Sequence, residues 1–219
     1  MFPVLQKFLS NPSVDLCGAR LFLLMVPNPN INDDNSLDYT NLGNNHVLAY
    51  IIKTQYGGGI SPDPVKNFAA LTNGLVVYAD DVMTNGNSDF NTVARLYLSA
   101  PYTDHLWFSP SYLYLFNETA TSQYWSIPDN GQPVINATLA ITTSNSDSYQ
   151  DSQDAFTINL KFAEKETGRF TIYPFSRKDL MGNTDLIWTT IELDTGVSYA
   201  ITVEQWASRE ESVEVRIWI

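Results

Sequence analysis

The feature that most constrains the fold is a regular alternation of apolar and polar residues near the C-terminus. It runs through two segments, residues 197–204 and 212–219, which are separated by the polar loop Trp206–Glu211. Successive side chains of a strand point to opposite faces, so each segment predicts a strand with one buried face. We expect the two strands to pair in one antiparallel sheet. The residues predicted to be buried from 155 onward are Phe156, Ile158, Leu160, Val197, Ile201, Val203, Val213, Val215 and Ile217.

The rest of the chain continues the same pattern of short strands between turn residues. Eleven segments are strand candidates, among them Thr92–Ser99. One helix is predicted at Pro64–Leu71, because proline suits the first helical position and Asn73-Gly74 can end the helix. We therefore predict an all-β fold, an antiparallel β-sandwich or barrel of the jelly-roll or spike type with one short helix. The 219 residues are predicted to form a single β domain, 1–219.

The charge balance excludes some classes of partner. The chain has 24 acidic and 12 basic residues and a net charge of −12. Nucleic acids and anionic membranes are bound through Lys and Arg, so we expect neither as a partner. The apolar run Leu21–Val26 is far shorter than the roughly 20 residues that a membrane-spanning helix needs. We therefore predict no insertion into a membrane. The chain is predicted to be cytoplasmic when made or to be a piece cut from a longer polyprotein.

The sequence carries no catalytic signature. His46 and His105 are the two histidines, and no Gly-x-Ser-x-Gly motif accompanies them. Cys17 has no neighbouring His or Lys and is predicted to be a small buried hydrophobic residue. We predict that the protein is not an enzyme and needs no cofactor. A pair of carboxylates for glycoside hydrolysis remains an alternative, although no spacing singles out a pair.

One acidic loop raises the question of calcium. Asp33, Asp34 and Asp38 lie close together in a segment rich in Asn and Pro. Clustered oxygens suit Ca²⁺, but the segment lacks the Asp-x-Asp-x-Asp-Gly pattern of a dedicated calcium loop. We predict a solvated loop and no metal site, and the sequence leaves calcium binding open.

Aromatic residues are concentrated in the middle of the chain. Tyr102, Trp107, Tyr124 and Trp125 stand beside turn residues in the segments 101–108 and 120–128, which are predicted to be loops. Rigid amphipathic rings on loops make good contact surfaces for sugars or proteins. These four residues are the predicted receptor or glycan contacts. The alternative is that the rings pin long loops onto the core.

The whole pattern resembles the outer domains of small-virus capsid proteins, that is, protruding or spike domains and jelly-roll shells. The likeness lies in an acidic β chain rich in Asn, Ser, Thr and Tyr that ends in the strand Ser212–Ile219. The basic arm of many shell proteins is missing, which favours an outward-facing spike. The resemblance implies a module on the virion surface, made in the host cytoplasm, that self-associates as a dimer or trimer and attaches to a host receptor or glycan. The alternative is a lectin-like carbohydrate-binding module or a glycan-active enzyme on the same scaffold.

Overall fold

The structure, a computed structural model, describes residues 7–8, 10–13, 15–25, 42, 44–54, 64–79, 89–99, 104, 106–108, 111–115, 119–143, 157–181, 184–206 and 211–219. The chain divides into two compact units, Met1–Tyr97 and Leu98–Ile219, called here the parallel-sheet unit and the sandwich unit. Compact units are not the same as independently folding domains. The single domain over 1–219 therefore stays a prediction.

The parallel-sheet unit is built on three strands in the order β1-β2-β3, and both pairings are parallel. Parallel neighbours need a crossover, and a helix lies between the second and third strands. All five residues of the third strand are buried. This sheet differs from the antiparallel pairing that the sequence predicts. The elements of this unit are β1 Arg20–Met25, β2 Leu48–Thr54, α1 Pro64–Leu71, β3 Leu75–Ala79 and α2 Asp89–Tyr97.

Helix α1 has the bounds that the sequence predicts, Pro64–Leu71, and Asn73-Gly74 follows it. Asn73 has a φ of 50°, and the Gly74 N–H donates to the Ala69 carbonyl oxygen at 2.9 Å. A Cβ on Gly74 would lie 1.8 Å from the carbonyl oxygen of Ala49 in β2. Glycine is required here because the backbone leaving the helix runs against the neighbouring strand.

A second helix replaces a predicted strand. The sequence predicts a strand at Thr92–Ser99, whereas the structure has helix α2 at Asp89–Tyr97. Val93 and Tyr97, four residues apart, are the buried side chains, which is a helical spacing. Asp89 stands in the first turn, where a negative charge stabilises a helix. The strand prediction was wrong because the segment also has apolar residues at alternate positions.

The sandwich unit confirms the all-β prediction and is a sandwich of two antiparallel sheets rather than a closed barrel. One sheet has the order β10-β7-β12-β4, with β5 also paired to β12, and the other has the order β6-β11-β8-β9. The strands are β4 Leu106–Phe108, β5 Ser111–Leu115, β6 Thr119–Ser126, β7 Val134–Thr143, β8 Thr157–Glu164, β9 Phe170–Ser176, β10 Leu186–Asp194, β11 Ser198–Trp206 and β12 Glu211–Trp218. A 3₁₀ turn, Arg177–Asp179, follows β9.

The predicted core is largely confirmed. The residues predicted to be buried that are fully inaccessible are Ile158, Leu160, Ile201, Val203, Val213, Val215 and Ile217. Val197 is partly buried against them, and Phe156 lies outside the described residues. The pairing of the last two strands is different, because β11 belongs to the four-stranded sheet and β12 to the five-stranded sheet. Both strands bury alternate residues in one core, but they approach it from opposite sides.

Two tyrosines join the sheets along one side of the sandwich. Tyr173 in β9 donates its hydroxyl hydrogen to the Glu192 carbonyl oxygen in β10 at 2.9 Å. The main-chain N–H of Asp194, also in β10, donates to the Tyr199 hydroxyl oxygen of β11 at 3.1 Å. Because β10 is an edge strand, these bonds fix how the four-stranded sheet lies over it.

The lone cysteine is exposed, which corrects the prediction of a buried residue. Cys17 lies in a turn whose backbone is held by the Asp15 side chain, since the Cys17 N–H donates to Asp15 Oδ1 at 3.0 Å. Gly18 follows with a φ of 68°. A turn of this kind faces solvent, so the apolar strand β1 begins only at Arg20.

Candidate functional site

The structure describes three of the four predicted contact residues, and it gives them different environments. Tyr102 lies outside the described residues. Trp107 is on strand β4 rather than on a loop, and only 8% of its surface is exposed. Its indole N–H donates to the Ser126 carbonyl oxygen at 3.0 Å, which satisfies the polar end of a buried ring. Trp107 is therefore part of the core and supports the sandwich from within.

Tyr124 and Trp125 are exposed, but they lie on strand β6 and not on a loop. The loop prediction at 120–128 was wrong for this reason. Successive residues of a strand face opposite ways. Trp125 turns toward the interior and meets the buried ring of Phe108 edge-on, with centroids 5.8 Å apart. Tyr124 points away from the core.

A β-bulge sets the direction of Tyr124. Tyr124 and Thr121 are three residues apart, so on a regular strand they would face opposite sides. The register of β6 against β11 shifts between Ala200 and Thr202, and this shift places Tyr124 and Thr121 on the same side. The Ser122 hydroxyl oxygen accepts the Ile201 N–H at 3.0 Å inside the bulge. Bulges commonly re-aim a side chain in this way.

The outward side of the β6-β11-β8-β9 sheet, called here the open face, carries large exposed side chains. Tyr124 is 54% exposed and Phe170 57%. Exposed apolar side chains grouped on one surface are typical of contact sites. Along each strand, the outward-facing residues alternate with core residues. The register pairs outward-facing residues of neighbouring strands with one another, so they lie on one face. The open face includes Tyr124, Thr202, Lys161, Phe170, Ile172 and Trp206.

One row across the open face has a ring at each end and small residues between. Tyr124 is paired with Ala200, Ala200 with Ala163, and Ala163 with Phe170. The two alanines leave a low floor between two projecting rings. Three inter-strand spacings of about 4.8 Å put the rings roughly 14 Å apart at the backbone.

The next row supplies polar groups. Thr121 is paired with Thr202, and their hydroxyl oxygens are 3.1 Å apart. Thr202 is paired with Lys161, and Lys161 with Ile172. Hydroxyl and ammonium groups therefore lie one row away from the alanine floor, where they can form hydrogen bonds with a ligand resting on it.

Each ring of the first row has a lysine ammonium over it. Lys161 Nζ is 4.4 Å from the centroid of Phe170, and Lys165 Nζ is 5.6 Å from the centroid of Tyr124. These are cation–π distances. Both ends of the row consequently combine an apolar ring with a positive charge.

The turn that carries Lys165 is held by charge and hydrogen bonds. The Thr167 hydroxyl donates to a carboxylate oxygen of Glu164, and Arg169 Nη2 lies 3.1 Å from Glu164 Oε1. The Thr167 hydrogen bond lowers the pKa of Glu164 below its ordinary value of 4.5. Desolvation opposes this shift, and the charge and hydrogen bond of Arg169 add to it. Glu164 is thus ionised at neutral pH and fixes the turn beside the open face.

The outer side of the five-stranded sheet offers no comparable surface. Glu214 and Arg216 on β12 alternate with its core residues, yet both are buried. Trp218, on the same side, is buried and stacks on Trp188 with centroids 5.5 Å apart. Among the described residues of the two outer sides, the open face is the one that carries exposed aromatic rings.

The residues considered for catalysis or metal binding add no second site. His46 lies in a turn with a φ of 53°, and His105, Asp33, Asp34 and Asp38 lie outside the described residues. Within the described ranges, no three His, Cys, Asp or Glu side chains cluster as metal ligands would. No helix in the same ranges has the length and apolar character to cross a membrane.

Sequence analysis missed Phe170, Ile172 and Trp206 as contact residues. A signal for them exists in β9, which has apolar residues on both sides: Tyr173 and Phe175 face the core, and Phe170 and Ile172 face outward. Only one side of a strand in a two-layer sandwich can be covered by the core. An apolar second side therefore indicates a contact surface.

Comparisons with known proteins add little. No protein-family model and no curated protein matches the chain. The chain is similar to the N-terminal CBM22-1–GH10 modules of endo-1,4-β-D-xylanase 10B from Clostridium thermocellum complexed with xylohexaose, with a TM-score of 0.31 and 8% identity over 53% of this chain and 28% of that one. It is also similar to the Yersinia pseudotuberculosis-derived mitogen, with a TM-score of 0.28 and 6% identity over 53% of this chain and 86% of that one.

The chain thus spans 28% of the length of the xylanase structure. At these TM-scores neither likeness carries an argument about function. Neither structure is a capsid protein, so the resemblance to capsid outer domains stays a prediction. The β-sandwich is what the structure shows, and the candidate site rests on the geometry of the open face.

Proposed function

We propose that the sandwich unit is a non-enzymatic recognition module that binds carbohydrate on the open face. The observation that carries the proposal is the row from Tyr124 to Phe170, in which two exposed rings flank a floor of Ala200 and Ala163. The C–H faces of sugars pack on aromatic rings, and their hydroxyls need polar partners such as Thr202 in the next row.

Binding is favoured over hydrolysis by the carboxylates of this face. A glycoside hydrolase uses a pair of them across the scissile bond. On the strands of the open face, all of which the structure describes, Glu204 is the carboxylate that points outward, while Glu164 is bonded within its turn. The rings would therefore hold a sugar without cleaving it.

A glycan array tests the proposal. The wild-type protein is compared with Tyr124→Ala, Phe170→Ala and the double variant, and Val134→Ala serves as a control because Val134 is exposed on β7, away from the open face. We expect the double variant to lose binding while its melting temperature and the binding of the control are kept. If the double variant binds glycans as strongly as the wild-type protein does, the proposed site is wrong. Absence of wild-type binding to any glycan on the array would refute carbohydrate binding.

The second part of the proposal concerns where the module acts and whether it self-associates. The sequence pattern supports a protruding capsid domain on the virion surface that forms a dimer or trimer and attaches to a host receptor or glycan. Light scattering of the purified protein tests the oligomer. A dimer or trimer is the expected result, and a monomer at all concentrations would contradict self-assembly.

A further inference from the structure

The basic residues of the sandwich unit are concentrated in one region. Seven Lys and Arg residues occur after residue 97, and five of them fall within residues 161–178, the β8–β9 hairpin and the turn after it. This grouping stands out in a chain whose net charge is −12. The seven residues are Lys161, Lys165, Arg169, Arg177, Lys178, Arg209 and Arg216.

Two of these residues serve the open face directly. Lys161 lies on β8 in the row beside the alanine floor, and its ammonium is above Phe170. Lys165 lies in the hairpin turn and reaches the ring of Tyr124, which is two strands away from β8. Ammonium groups from different elements thus meet both rings of one row.

Glu204 and Arg169 are further charged residues of the open face and its hairpin turn. Glu204 is paired with Asn159, one further row beyond Lys161 and Thr202, so it is two rows from the alanine floor. Arg169, at the turn, is paired with Glu164. In the hairpin at the end of the open face that carries the two rings, the three basic residues Lys161, Lys165 and Arg169 stand against two carboxylates, Glu164 and Glu166. The positive excess at this end is therefore one charge, and Glu204 lies two rows away.

We propose that the ligand is an acidic oligosaccharide, with sugar rings on Tyr124 and Phe170 and a carboxylate or sulfate group held by Lys161 and Lys165. This inference rests on the proposed function and specifies its ligand class. A chain of sugars is required because the two rings are roughly 14 Å apart. An anionic group is favoured because a ligand that covers Lys161 and Lys165 removes water from their ammonium groups, and only an anionic ligand supplies an opposite charge in return.

Titration with ligands that differ only in charge tests whether an anionic group strengthens binding. The wild-type protein is titrated calorimetrically with a uronic-acid oligosaccharide, with its carboxyl-reduced neutral form, and with a sulfated form of that neutral chain. We expect the acidic ligands to bind about tenfold or more tightly than the neutral one, and the preference to fall as salt is raised. The better of the two acidic ligands identifies the anionic group.

The variants are Lys161→Gln, Lys165→Gln and both together, with Lys178→Gln as a control. Lys178 is exposed in the 3₁₀ turn, so its replacement removes the same charge outside the strands of the open face. The double variant should bind acidic and neutral ligands alike, and the control should keep the preference. Equal wild-type affinities for acidic and neutral chains would overturn this inference and leave glycan binding intact. A preference that survives in the double variant would overturn the role of the lysines, and no binding of any ligand would overturn both proposals.

Discussion

The hydroxyl of Tyr173 donates a hydrogen bond to the carbonyl oxygen of Glu192 over 2.9 Å, which joins edge strand β9 to edge strand β10 of the other sheet. Strand β9 carries Phe170 and Ile172 on its opposite side. The bond therefore holds in place the strand that supplies half of the candidate site.

Replacing Tyr173 with Phe should weaken the sandwich without changing the open face. Loss of the hydroxyl removes one hydrogen bond between the two sheets, so we expect the free energy of unfolding to fall by about 0.5–1.5 kcal/mol. Urea denaturation measures the change. As a control, Tyr124→Phe removes an exposed hydroxyl and should alter stability by no more than about 0.5 kcal/mol. Equal effects of the two substitutions would contradict the bond between the sheets.

Alkaline pH should destabilise the same side of the sandwich. Burial, together with the charges of Glu192 and Asp194, raises the pKa of Tyr173 above 10.0. Burial likewise raises the pKa of Tyr199, against a hydrogen bond from Asp194 that lowers it. An acid with a raised pKa in the folded state holds its proton more tightly than it does in the unfolded chain. Its contribution to stability is thus complete below pH 10.0 and is lost as the pH rises through the folded-state value.

Denaturation curves measured below and above pH 10.0 check this prediction. The wild-type free energy of unfolding should decline with rising pH in that range, and the decline should be shallower in a Tyr173→Phe, Tyr199→Phe double variant. Parallel curves for wild type and double variant would show that these two phenols do not cause the pH dependence.

The two sides of the four-stranded sheet should respond differently to truncation. Ile201 is fully buried in β11, and Ile201→Ala should cost about 2–5 kcal/mol. Ile172 is 44% exposed on the open face, and Ile172→Ala should change stability by only about 0.5 kcal/mol. Thermal unfolding compares the two. If Ile172→Ala were as costly as Ile201→Ala, the open face would be a covered surface and not a binding site.

Two tryptophans that are close in the structure should also differ. Trp107 is buried and hydrogen-bonded, so Trp107→Ala should cost about 3–5 kcal/mol. Trp125 is 42% exposed and keeps one edge-on contact with Phe108, so Trp125→Ala should cost about 0.5–1.5 kcal/mol. Chemical denaturation measures both. A small loss of stability in Trp107→Ala would indicate that Trp107 is a surface residue, as the sequence analysis predicted.

Strand alternation and helix signals predicted much of the fold. The alternation correctly identified Ile201 and Val215 as core residues, because the side chains of a strand alternate between its two faces. On β12 it predicted an exposed side that is in fact buried, since Glu214, Arg216 and Trp218 are inaccessible as well. Pro64 correctly identified the start of helix α1. Pairing partners could not be read in the same way, since alternation shows the direction of a side chain but not the sheet to which its strand belongs. Strands β11 and β12 were therefore assigned to one sheet and lie in two.

The candidate site was predicted only in part, for a related reason. Tyr124 was identified because it is a large ring among polar residues, but its direction depends on a bulge that is visible only in the register of β6 against β11. Phe170 was not identified, because Tyr124, its partner across the alanine floor, is 46 residues away in sequence. A site formed by a row across four strands exists only once the strand order is known.

The central claim is that a sugar chain lies on the open face between Tyr124 and Phe170, and an NMR titration that follows the aromatic ring signals tests it most directly. The protein is titrated with the oligosaccharide that binds best on the array. We expect the signals of Tyr124 and Phe170, with the methyl signals of Ala163 and Ala200, to shift with one affinity, while those of buried Trp107 stay unchanged. Shifts confined to other surfaces, with the Tyr124 and Phe170 signals unmoved at saturation, would contradict the account.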